Sequence, residues 1–115
     1  MKNLLLNAYF AGLIDGEGTI GVYKFSSGIT RPIIKVDMTC EDTINALHSH
    51  FGGYKGLKKI EDKPNRKQQW HWEVTFLKAV EVANLIFPYL ITKKSNAIEV
   101  IAYTPKKRGR PKLKQ

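Results

Sequence analysis

The sequence predicts an α+β domain in the order αββαββα, with four strands forming one antiparallel sheet covered by helices on one face. Three observations carry this expectation. Residues 31–40 and 68–76 alternate apolar and polar side chains, the period of a strand with one face against a core. Residues 4–14, 44–51, 77–87 and 95–103 place apolar side chains at spacings of three and four, the period of a helix. The strand-like stretches come in two pairs with a helical stretch between them, which suits two hairpins of one antiparallel sheet.

The first helix begins at Leu4 and carries Leu5, Leu6, Phe10, Leu13 and Ile14. Gly12 and Gly16 are four apart and share one of its faces. Each glycine weakens a helix by roughly 1 kcal/mol against alanine, so a helix with two of them should press closely against another backbone. Asp15 and Glu17 follow at its end, alternating with Gly16 and Gly18. Gly18 is expected to stop the helix in the left-handed conformation. A carboxylate at the negative end of a helix is electrostatically poor, and a nearby cation would relieve it.

The first strand is expected over 19–26, with Ile20 and Val22 on one face and Tyr23 and Phe25 on the other. It is either a strand with aromatics on a binding face or one buried on both sides. Ser26-Ser27-Gly28 supplies a hairpin turn. The second strand, 31–40, puts Ile34, Val36, Met38 and Cys40 on its core face and Arg31, Ile33, Lys35, Asp37 and Thr39 on the other. A helix over 39–51, capped by Thr39 or Asp42, turns Ile44, Leu47, His48 and Phe51 inward and ends at Gly52-Gly53. The third strand spans 54–60. The fourth spans 68–76, with Trp70, Trp72, Val74 and Phe76 on the core side and Gln69, His71, Glu73 and Thr75 opposite. The third helix, 77–87, faces Val80, Ala83, Leu85 and Ile86 inward up to Pro88, and the last, 95–103, does so with Ile98, Ile101 and Ala102.

The chain has 115 residues, 43% of them hydrophobic, which suits one domain. Its formal net charge of +9 points to a polyanion, with nucleic acid ahead of an anionic membrane surface. No apolar run reaches the length of a membrane span. The start, Met1 to Leu6, is broken by Asn7 and followed by acids, so an export signal is rejected. The single cysteine, Cys40, excludes an internal disulfide and a cysteine-rich zinc site, and fits a reducing, intracellular compartment. It reads as buried packing, as do Trp70 and Trp72. His48, His50 and His71 lack the spacing of a zinc site. The polar sheet face offers Tyr23, Arg31, Lys35, Asp37, Lys58, Gln69, His71 and Glu73, a mixture of donors and acceptors that could read base edges in the major groove; without further signals it is simply the solvated side of a sheet.

Residues 10–18, Phe-Ala-Gly-Leu-Ile-Asp-Gly-Glu-Gly, resemble the LAGLIDADG motif of the homing endonucleases. The αββαββα order is that of this family over residues 4–103. Phe87 to Lys94 is similar to the family's proline-aromatic-leucine segment leading to an active-site lysine, which maps to Lys93, with Lys94 the competitor. The resemblance implies a metal-dependent DNA endonuclease. Glu17, helped by the Gly16 carbonyl, would hold Mg²⁺ or another divalent cation, and Lys93 would stabilise charge or orient water. Only one motif copy is present, so two acidic tips imply a homodimer packed through Phe10, Gly12, Leu13 and Gly16, favouring near-palindromic double-stranded DNA as in intron homing. In active members a polar residue, often Gln, stands near the start of the second helix. Counting puts Cys40 there, and Ile44 one turn later where an arginine-like residue would be. These departures keep open a catalytically inactive DNA- or RNA-binding protein, a regulator or intron maturase, on the same scaffold.

Residues 1–104 are therefore expected to form the endonuclease domain and 105–115 a basic tail, disordered alone because it has no core to bury. Its Arg108-Gly109-Arg110-Pro111 resembles the AT-hook, in which arginines enter the narrow minor groove of A·T-rich DNA. A solvated charged tail or a nuclear-localisation-like run explains it equally, and a small DNA-coating protein binding through this tail is a third reading.

Overall fold

The computed structural model describes residues 4–58 and 67–104. Helix α1 (Leu4–Glu17) runs directly into strand β1 (Gly18–Lys24), which turns into β2 (Thr30–Met38). Helix α2 (Glu41–Phe51) leads to β3 (Tyr54–Lys58) and β4 (Gln69–Thr75). Helix α3 (Phe76–Ile86), a 3-10 turn (Phe87–Tyr89) and α4 (Lys94–Ile101) complete the described chain. The expected αββαββα order is therefore found, with the last helical region divided at Pro88.

The strands form one antiparallel sheet in the order β1-β2-β4-β3. Two hairpins thus meet through β2 and β4, where Asp37 lies opposite His71 and Lys35 opposite Glu73. Gly28, at φ 90°, closes the first hairpin; its amide donates to the Phe25 carbonyl at 2.8 Å. The period-2 pattern puts Ile20, Ile34, Val36, Trp72 and Val74 on the helix-covered face. Against them pack Phe10, Ala11 and Ile14 of α1, Ile44, Leu47 and Phe51 of α2, and the inner faces of α3 and α4. Trp72 is fully buried, and its indole N–H donates to the Gly52 carbonyl at 2.8 Å, so its one polar atom is satisfied.

Several local expectations are corrected. Gly18 is not a left-handed stop; it is the first residue of β1. It is needed for space, because a Cβ there would lie 3.0 Å from the Lys35 carbonyl oxygen and 3.1 Å from the Ile14 Cα. Neither Thr39 nor Asp42 caps α2; the N-cap is Cys40, which is exposed rather than buried. The inner face of α3 is Ala79, Val82, Ala83 and Ile86, leaving Leu85 exposed. That of α4 is Ala97 and Val100, leaving Ile98 and Ala102 outside. Small residues let these helices lie close to the sheet, and bulk was a poor guide to which side faced in. Phe76 does not extend the core face of β4. It opens α3 at φ 54° and turns outward, 39% exposed.

Candidate functional site

Three features of the fold converge at the end of α1. Helix α1 is apolar on both sides. Asn7, Phe10, Ala11 and Ile14 face the core, while Leu5, Tyr9, Gly12 and Gly16 lie on the opposite, exposed side. A Cβ built on Gly12 or Gly16 would meet nothing within 4 Å, so the notch these glycines make is not filled by any described part of the chain. Of the four residues expected at a dimer contact, Gly12 and Gly16 lie on this open face and Leu13 borders it, half-buried. Phe10 does not. It is 2% exposed, packed beside His50 and Phe51, and cannot offer its ring to a second copy. Leu5 and Tyr9, 83% and 62% exposed, take its place on the face. Their spacing with Gly12 and Gly16 (5, 9, 12, 16) was the signal in the sequence that could have identified them.

The acidic tip is built by two carboxylates with different surroundings. Asp15 binds the chain entering α4. Its Oδ2 accepts from the Ile91 amide at 2.8 Å and the Thr92 amide at 3.0 Å, and its Oδ1 from the Lys93 amide at 2.7 Å. Desolvation raises the Asp15 carboxyl, but these three amides and the Lys93 charge outweigh it and hold the group below its ordinary value of 3.8. Glu17, two residues on, is exposed and has no ion pair among the described residues. The Lys93 ammonium donates to the Asp15 main-chain carbonyl at 2.6 Å, which supplies a cation to the negative end of α1. Lys94 turns the other way, its ammonium 4.5 Å from the centre of the Phe87 ring and donating to the Phe87 carbonyl. The geometry therefore puts Lys93, and not Lys94, beside the acidic tip. Sequence reasoning missed Asp15, whose role depends on a segment 76 residues away.

The uncovered sheet face holds all eight residues expected there. Strand register puts Tyr23, Arg31, Lys35, Asp37, Gln69, His71, Glu73 and Lys58 on one side. The centre is a polar network. His71 lies between two carboxylates, with Nδ1 against Asp37 and Nε2 2.7 Å from Glu73, and the Lys58 ammonium reaches Asp37 at 3.1 Å. Burial pushes the Asp37 carboxyl up; the His71 and Lys58 hydrogen bonds and charges override it and hold the group below 3.8. At the hairpin end, Arg31 lies over the Phe25 ring, 4.2 Å from its centre. Tyr23 is 42% exposed. Arg108 and Arg110 lie outside the described residues.

Cys40 and Ile44 do not share a site. Ile44 is 1% exposed within the core and cannot replace an active-site side chain, whereas Cys40 accepts a hydrogen bond from the Thr43 hydroxyl at the α2 surface. That contact and the local amides hold its thiol below 9.0. His50 is used structurally: it bonds the buried Asn7 side chain at 2.8 Å, and burial pushes its imidazole below 6.5. Among the described residues no helix is long and apolar enough to cross a membrane.

No family model matches the sequence, and no curated protein matches it. Solved structures do. The homing endonuclease I-CvuI, in complex with a DNA target, superposes with a TM-score of 0.69 at 19% identity, over 84% of this chain and 64% of that one. The chain has the homing-endonuclease fold. The archaeal intron-encoded homing endonuclease I-Vdi141I, complexed with DNA, gives a TM-score of 0.62 at 19% identity over 84% of this chain and 64% of that one. The meganuclease I-SmaMI, bound to DNA, gives 0.60 at 18% identity over 83% of this chain and 34% of that one. The chain thus spans less than two thirds of the length of the homing endonucleases it superposes on, and its elements and their order are those of that fold.

Proposed function

We propose that the protein is a homodimeric, divalent-metal-dependent, sequence-specific DNA endonuclease of the LAGLIDADG kind. The observation that carries this reading is an exposed carboxylate, Glu17, at the tip of a helix whose outer face is apolar, glycine-notched and unfilled. Two copies meeting through Leu5, Tyr9, Gly12, Leu13 and Gly16 would make an isologous contact and bring two such tips to the two-fold axis. The same operation would place two copies of the open sheet face side by side, matching a near-palindromic site in the major groove.

The donors at the tip fit a hard cation. They are oxygen atoms, one of them a carboxylate, at a helix end where main-chain carbonyls lack helical partners. Glu17 and the Gly16 carbonyl would hold the ion, with the remaining ligands coming from DNA and water. A bound divalent cation would polarise the scissile phosphate and lower the pKa of an attacking water. Lys93 uses one of its three ammonium protons on the Asp15 carbonyl. The others remain to meet negative charge developing on the phosphate. Asp15 acts through Lys93: by holding three consecutive amides it fixes where that lysine begins. Residues 105–115, with Arg108 and Arg110, would add sequence-independent affinity as a basic tail.

The test is incubation of the protein with a randomised duplex library and Mg²⁺, beside Glu17→Gln. Wild type should cut a subset of sequences and the variant none. Equal cutting by both would remove Glu17 from the chemistry. Tight, salt-sensitive binding without product from either would assign the scaffold to a non-catalytic nucleic-acid binder instead.

A further inference from the structure

Resting on the reading of the sheet face as the DNA interface, we infer that Arg31 reads the edge of a guanine, and that Phe25 and Phe76 are positioning residues that hold its guanidinium for that contact. Three independent observations converge on this side chain. Its guanidinium carbon lies 4.2 Å from the centre of the Phe25 ring and 5.5 Å from that of Phe76. Its Nε is buried and has no hydrogen-bond partner among the described residues. The third is the backbone of Phe76. Among the described residues it is the only non-glycine residue with positive φ, at 54°. For a bulky aromatic residue that is a strained conformation, and such strain concentrates at functional positions.

The strain has a visible consequence. The alternation of β4 buries Trp72 and Val74, so an extended residue 76 would continue into the core. The left-handed turn instead throws the ring outward, where it meets Arg31 on one side and Tyr103 on another, 6.3 Å between ring centres. An aromatic ring is thereby left 39% exposed beside a cation. Lys58 is differently placed, its ammonium bonded to Asp37 of the face itself, while Lys35 has no ion pair among the described residues. Arg31 is held by ring faces, which orient a guanidinium without consuming its donors.

The chemistry of the ligand follows from which donors remain. With Nε buried, the guanidinium offers its two terminal nitrogens end-on. That fork matches the O6 and N7 acceptors of guanine in the major groove, which lie side by side in one plane. A phosphate can take the same fork; what favours a base edge is that Arg31 stands on the sheet face that would enter the groove. Arg31 is opposite Tyr23 in the register, at the hairpin end of the face, so the guanine would lie toward the outer part of each half-site.

The experiment selects randomised duplexes by binding alone, with the divalent metal withheld, for wild type, Arg31→Lys, Phe76→Leu, Phe76→Gly and Phe76→Tyr. Wild type should enrich guanine at one position of each half-site. Arg31→Lys and Phe76→Leu should each relax that preference about tenfold or more while other positions keep theirs. Phe76→Gly should relax it equally without lowering the melting temperature, because glycine adopts positive φ without strain, and Phe76→Tyr should retain it. A loss uniform across sequences, with a salt slope smaller by about one, would make Arg31 a phosphate contact and overturn the inference. So would a guanine preference left intact by Phe76→Leu and Phe76→Gly. Failure of wild type to bind any duplex would instead remove the DNA-interface reading itself, and the inference with it.

Discussion

Asp15 shows how one side chain can be structural while its neighbour two positions on is free for chemistry. Its carboxylate accepts three amides of residues 91–93, and Lys93 answers by donating to its carbonyl. Replacing Asp15 with alanine removes a cap-like interaction, with an expected loss of about 1–2 kcal/mol in urea unfolding. DNA cleavage should fall along with it, because Lys93 is no longer anchored; Asp15→Asn, which keeps an acceptor, should lose less of both. Titration adds a second expectation. His50, Asp15 and Asp37 all have folded pKa values below their ordinary ones. Their contributions are therefore present above the ordinary values and are lost as pH falls through the folded ones. Melting temperature should decline in two stages, the first below 6.5 from His50 and the second below 3.8 from the two aspartates. His50→Gln, which keeps a side-chain partner for Asn7 but does not titrate, should abolish the first stage alone.

At the scale of the element, the glycines of α1 and of its junction with β1 divide by what surrounds them. Gly18 is enclosed by the Lys35 carbonyl and the Ile14 backbone, both rigid. Gly18→Ala should destabilise the single chain by about 1–3 kcal/mol, the usual effect of overpacking, read as a lower urea midpoint. Gly12 faces open space. Gly12→Leu should leave single-chain stability equal or higher, since leucine is the better helix former. The same change would fill the notch proposed for the second copy, and sedimentation equilibrium should then report a monomer for the variant and a dimer for wild type. A wild type that sediments as a monomer at every concentration would leave the exposed face of α1 without its proposed partner. The strands needed no such distinction. Their alternation was legible because one face is buried and the other is not. The inner stripes of α3 and α4 were misread in part: Ala83 and Ile86 face in as expected, but Leu85 and Ile98 stay exposed while Ala79, Val82, Ala97 and Val100 are buried.

For the whole molecule, the distribution of charge matters more than its sum. Residues 105–115 hold six basic residues and no acidic one, so most of the excess positive charge lies outside the described fold. The sheet face itself mixes Arg31, Lys35 and Lys58 with Asp37 and Glu73. Phosphate affinity and base selectivity should accordingly separate. Deleting 105–115 should weaken DNA binding and flatten its dependence on salt, while the sequences selected stay the same. Loss of selectivity with the tail would place recognition there and not on the sheet.

The sequence by itself determined the order of elements, the polar face of the sheet and the glycine–carboxylate stretch at the end of α1. Each is written in short-range periodicity or in a local motif, and needs no knowledge of distant contacts. Only the tertiary structure decided that Phe10 faces inward, that Asp15 holds residues 91–93, that Lys93 and Lys94 point to opposite partners, and that Phe76 leaves the core to lie beside Arg31. Apart from the Lys94–Phe87 contact, 7 positions apart, those assignments depend on groups meeting across 40 to 78 positions of chain, and only packing of the sheet against its helices fixes which of them meet.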